Sequence, residues 1–296
     1  TIIQKLKYKP DNTIITTDYL INNIENSFYV WKNFPWSRHI KFEEFCEYIL
    51  PYRCSNFPIT YHRSAILDKF KYLIDYLPDT ASRYFVTTQV NNYLIKFWKY
   101  SDAVEKYYNP PAFSSVMKAR RGTCTQEELL KTTIFRAMGV PVAIDFYTSH
   151  GWNYILMPEK KSYAFTSFNN PIQNRVPIPN YVPKIFRKMF SVQKSSLAYI
   201  EKDKSQIPSF FRNPCMLDVT AEYPPFLKKL KIPYNKSAAK DFKYLFLSFA
   251  DMEHNPDVWV ATDWCIKNDS EFAEFNYVKF GLAYLVCGYK NNNLIP

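Results

Sequence analysis

The chain has 296 residues, of which 47% are hydrophobic and 22% charged. That length suggests about two domains, and that balance excludes intrinsic disorder, which needs few apolar residues and dense charge. The net charge of +11 is spread over short runs such as Arg120-Arg121, Lys160-Lys161 and Lys228-Lys229, with no basic-aromatic motif, so no nucleic-acid partner is expected.

The first third reads as helices. Thr17 is expected to cap a helix in which Leu20, Ile21, Ile24, Phe28 and Trp31 recur at helical spacing, stopped by Pro35. Shorter helices are expected over 42–50, ended by Pro51, and over 65–77, where Leu67, Phe70, Ile74 and Leu77 share a face and Pro78 is the stop. Phe85, Val86, Val90, Leu94, Phe97 and Trp98 suggest a long helix. Thr123 and Gln126 have capping-box spacing at the start of a helix to about Met138, which Gly139 and Pro141 end. Strand-like runs follow at 140–147, 152–157 and 163–168, and the Glu159-Lys160-Lys161 link suits a hairpin. Residues 171–208 read as irregular surface with a helical piece near 184–190. Runs at 216–220, 227–232, 244–249, 258–261 and 282–286 predict a small antiparallel β domain. The expected class is α+β, with a helical N-terminal region over 1–110, a core over 111–205 and a C-terminal β domain over 206–296.

No run of about 18 or more apolar residues occurs, so no transmembrane segment is expected. The chain opens at Thr1, which suggests a processed or trimmed N-terminus, and 291–296 does not read as a natural C-terminus. The six cysteines, Cys46, Cys54, Cys124, Cys215, Cys265 and Cys287, form no CxxC pair and no tight Cys/His cluster. No metal site is expected, and only one or two disulfides are compatible with such sparse spacing. Five glycines and no phosphate-binding loop point to no cofactor.

Cys124 is the candidate nucleophile. It follows a predicted N-cap, where the helix dipole and unpaired N–H groups favour a thiolate and are expected to lower its pKa. Glu127 and Glu128 in the first turn work against that charge. A thiol nucleophile also needs a base. Of the four histidines, His150 lies between two predicted strands just after the Cys124 helix. His39 and His62 fall in the helical region and read as structural, and His254 reads as solvated in a polar turn.

Three segments carry a resemblance: Arg121-Gly122-Thr123-Cys124, Phe135-Arg136-Ala137-Met138-Gly139-Val140-Pro141, and His150-Gly151-Trp152-Asn153. Together, over about 112–170, they resemble the core of the transglutaminase-like superfamily. Phe34-Pro35-Trp36, the run from Phe45 to Arg53 and the run from Asp218 to Tyr223 are similar to an exported bacterial group of such proteins. The resemblance implies a papain-like core over 111–205 and a thiol-dependent hydrolase or acyl transferase. Cys124 would attack a peptide-like amide, and His150 would hold the thiolate and protonate the leaving amine. Trp152 would take part in binding, the substrate would be a peptide or glycan-peptide, and the location periplasmic or cell-surface. The family's third residue, an Asp, has no counterpart in 163–170; Asn169 could orient His150, with Thr166, Ser167 and Asp145 as other candidates. A degenerate domain that binds peptide or glycan without turnover is the alternative, and a structural spacer in a surface assembly is a third reading.

Overall fold

The computed structural model describes residues 9–54, 58–59, 62–76, 81–101, 113–147, 150–157, 163–165, 180–223, 226–251 and 255–296. The chain is α+β and divides into two compact units, 1–144 with 148–176 and 145–147 with 177–296. Among the described residues no helix is long and apolar enough to cross a membrane, and all six cysteines are free thiols.

The first unit begins with helices α1 (Thr17–Asn33), α2 (Phe42–Tyr48), α3 (Arg63–Tyr76) and α4 (Arg83–Ile95). Strand β1 (Lys99–Tyr100) pairs in parallel with β2 (Arg121–Gly122), and α5 (Phe113–Ala119) lies between them in sequence. Helix α6 (Cys124–Ala137) is central: every residue from Glu127 to Ala137 is buried, and Leu130, Ile134 and Phe135 join a core with Phe45, Phe70, Val90 and Leu94. Strand β3 (Val142–Tyr147) leads from this unit into the second, and β4 (His150–Ile155) pairs antiparallel with β5 (Tyr163–Phe165).

The turn after α6 explains its sequence. Gly139 has φ +71°, and a Cβ there would sit 2.4 Å from Ser37 Oγ, so only glycine fits. Ser37 Oγ donates to Gly139 O at 2.6 Å, and Trp36 Nε1 donates to Met138 O at 2.7 Å. These bonds fasten the Phe34-Pro35-Trp36 segment to the helix end.

Helix α1 departs from the expectation in two ways. Thr16, not Thr17, is its cap, accepting from Tyr19 N at 3.2 Å. Its inward stripe is Tyr19, Asn23, Ser27 and Val30, whereas Leu20, Ile21 and Ile24 are exposed. The buried Arg63 decides this: its Nε donates to Asn23 Oδ1 at 2.7 Å, and Asn23 Nδ2 reaches Leu50 O at 2.8 Å. A buried guanidinium needs acceptors, and the polar face of α1 supplies one.

The second unit opens with β6 (Phe186–Lys188), where a helical piece was expected. It is a strand because it pairs antiparallel with β7 (Met216–Asp218), and Arg187 grips Asp145. The short α7 (Leu197–Ile200) precedes β7. Strands β8 (Leu227–Pro233), β9 (Tyr244–Asp251), β10 (Asn255–Ile266), β11 (Phe272–Val278), β12 (Tyr284–Lys290) and β13 (Asn293–Ile295) follow. They form an antiparallel sheet of order β10-β9-β12-β13 and a separate β11-β8 pair. Strands β11 and β13 are absent from the sequence reading: β11 mixes polar with apolar residues, and β13 is only three residues long.

Candidate functional site

Cys124 is the first residue of α6. Thr123 precedes it in extended conformation, and Thr123 N donates to Gln126 Oε1 at 2.9 Å, half of the predicted capping box. The sulfur is half-buried, and the expected lowering of its pKa is reversed. Burial pushes the thiol above its ordinary range, Glu128 and then Glu127 push the same way, and hydrogen bonds to Thr125 only partly offset them. Desolvation of the thiolate, with two carboxylates in the first turn, outweighs what the helix start returns.

Strand β4 is fastened along α6. Asn153 Nδ2 donates to Glu128 O at 3.1 Å and to Thr132 Oγ1 at 2.8 Å. Further on, Leu156 N donates to Pro141 O at 3.1 Å, beside the far end of the helix. Strand and helix therefore run in the same direction. His150 begins β4 about 10 Å before Asn153 at ordinary strand rise, and Cys124 begins α6 about 6 Å before Glu128 at helical rise. Both elements start at the same end. The His150 ring lies 5.9 Å from that of Trp152, which is buried at 1% exposure.

Of the other candidates, Asp145 is fully buried and committed elsewhere. Arg187 donates to its two oxygens at 2.7 and 2.8 Å, and Tyr223 Oη donates at 2.5 Å. Burial raises the Asp145 pKa, with Arg187 and Tyr223 opposing. Asn169, Thr166, Ser167 and His254 lie outside the described residues. His39 is exposed, and the His62 ring stands 5.7 Å from that of Phe113.

The sequence reading missed a buried ion pair one turn below Cys124. Lys131 Nζ lies 2.7 Å from Glu127 Oε1, with side-chain exposures of 1% and 4%. Burial lowers the Lys131 pKa and raises that of Glu127, and their mutual attraction opposes both shifts. The i,i+4 spacing was visible, but such pairs are usually solvated; burial follows from α6 being packed on all sides. Among the described residues no cluster of metal-ligating side chains occurs.

The chain matches no family model and no curated protein.

Proposed function

We propose that the first unit carries a transglutaminase-like, papain-like core in which Cys124 and His150 act together on the acyl carbon of a peptide or glycan-linked peptide amide. The observation that carries this reading is the shared direction of β4 and α6, with both residues first in their elements. The raised thiol pKa refines the chemistry. Cys124 rests as a neutral thiol, so His150 acts as a general base during attack rather than as one half of a standing ion pair.

The sulfur bonds to the acyl carbon as the imidazole takes its proton. The carbonyl oxygen becomes an oxyanion, to which the Cys124 backbone N–H contributes a donor. The imidazolium then protonates the departing amine, leaving a thioester. Water as second nucleophile gives hydrolysis, and an amine gives transfer. The resemblance of the flanking segments supports export to the periplasm or cell surface.

A peptidyl acyloxymethyl ketone tests the nucleophile. Mass mapping should find the adduct on Cys124 ahead of the other five cysteines, and His150→Ala should slow it about 100-fold or more. Equal labelling of several cysteines, or no effect of His150→Ala, rejects the pair. The raised thiol and the commitment of Asp145 to Arg187 and Tyr223 favour a second reading, a degenerate domain that binds peptide or glycan without turnover. Peptide or glycan binding that survives Cys124→Ala, without any adduct in the parent protein, would select it.

A further inference from the structure

The second unit holds a cleft of about 340 Å³. One wall is built from Phe186 and Phe211, both buried, with ring centroids 6.4 Å apart and planes at 71°. Trp264 also lines the cleft, its ring set edge-on to Tyr244 at 5.8 Å. Asp218 and Asp263 supply its charge.

The two carboxylates share a single cation. Lys184, 2% exposed, pairs with Asp218 Oδ2 and lies 2.9 Å from Asp263 Oδ2. It also donates to Asn276 O at 2.8 Å, so its three N–H donors are all used. Asp218 accepts from Lys184 on Oδ2 and, on Oδ1, from Thr220 N at 2.9 Å and Thr220 Oγ1 at 2.6 Å. Among the described residues Asp263 accepts only from Lys184 and from Trp264 N at 2.8 Å, two of about four acceptor sites on a carboxylate. The cluster thus carries one negative charge in excess, with acceptor capacity left, inside a chain whose net charge is +11. The excess is a property of this cleft and does not follow from the surface as a whole.

We propose that this cleft binds a small organic cation, with an amidinium, guanidinium or ammonium group against Asp263 and Asp218 and a flat apolar body between the Phe186–Phe211 wall and Trp264. The cation balances the excess charge, and the rings receive the body by stacking and cation–π contact. A neutral sugar would leave the charge unbalanced, and an anion would be repelled. The lining residues all belong to the second unit, and the binding chemistry does not draw on Cys124.

Protonation of Asp263 should switch the site. Burial, with Asp218 adding and Lys184 opposing, pushes its pKa up to about 6. The groups acting on it are Lys184 ahead of β6, Asp218 on β7, Cys265 beside it on β10 and Tyr284 on β12. Lys184 is held charged, since the two carboxylates overcome burial. Cys265, pushed by burial up to about 11, and Tyr284, raised further, stay neutral below pH 8. Asp263 is therefore the group expected to change charge near pH 6.

Calorimetry on the full chain with benzamidine, benzamide and benzoate tests this. At pH 7.5 benzamidine should saturate one site, benzamide should bind at least about tenfold more weakly and benzoate not at all. At pH 5, one unit below the Asp263 pKa, benzamidine affinity should fall about tenfold. Asp263→Asn should abolish binding. Ser195→Trp, at the exposed rim, should do the same with the ion cluster intact. Agmatine compared with a blocked Ala-Arg-Ala peptide distinguishes a free cation from an arginine side chain. Equal binding of benzamide or methyl glucoside, pH-independent binding, or no saturation by benzamidine would overturn the proposal. The wild-type comparisons decide it even if Asp263→Asn does not fold.

Discussion

Asn153 reaches from β4 to Thr132 on α6 at 2.8 Å, and the same amide meets Glu128 O at 3.1 Å, to which Thr132 Oγ1 also donates at 2.7 Å. This buried triangle sets how the strand that begins with His150 lies against the helix that begins with Cys124. Asn153→Ala should lower unfolding free energy by about 1–3 kcal/mol in urea titration. Thr132→Val in the same background should add less than it does alone, because the two side chains share one network. Full additivity would mean that the triangle does not couple the elements.

The Glu127–Lys131 pair makes a different test of α6. Lys131→Met leaves a buried carboxylate without its cation and should cost about 3–5 kcal/mol. Glu127→Gln with Lys131→Met should recover much of that loss, because no buried charge of the pair then remains. Melting curves of the single and double variants check this, and a double variant no better than Lys131→Met contradicts it.

Helix α1 predicts an inverted pattern of tolerance. Ile24 is 44% exposed and Asn23 is 4% exposed. Ile24→Lys should change stability by less than about 0.5 kcal/mol, whereas Asn23→Ala, which deprives Arg63 of an acceptor, should cost at least about 1 kcal/mol. Chemical denaturation of the two variants would refute the inward polar stripe if the order were reversed.

Asp263 gives stability a pH dependence. Its folded pKa of about 6, raised first by burial, lies above the ~3.9 of an unfolded Asp. Its contribution is therefore full below about pH 4 and is lost as pH rises through about 6. Relative to Asp263→Asn, the wild type should lose about 2 kcal/mol between pH 4 and 7. Parallel curves for the two proteins would contradict the shifted carboxyl.

Local chemistry was legible in the sequence. Thr123 with Gln126 marked the start of α6, Gly139 marked its end, and the helical and strand runs announced an α+β chain. What failed needed partners distant in sequence. Phe28 and Trp31 of α1 pack on the core as read, but Leu20, Ile21 and Ile24 face out because Arg63, 40 residues from Asn23, turned the polar face inward. The run at 184–190 read as helix until pairing with Met216–Asp218 made Phe186–Lys188 a strand. The thiol pKa depended on burial, which spacing alone does not convey, so the helix-start argument gave the wrong direction.

The most direct test of the Cys124–His150 pair is the pH profile of Cys124 alkylation by iodoacetamide, followed by peptide mass mapping. Alone, the Cys124 thiol should react only as it ionises, above the ~8.5 of a free thiol. With His150 acting as its base, wild-type Cys124 should keep reacting well below that range, and His150→Ala should remove this low-pH limb. Superimposable profiles, each with a single ionisation above ~8.5, would contradict the pair.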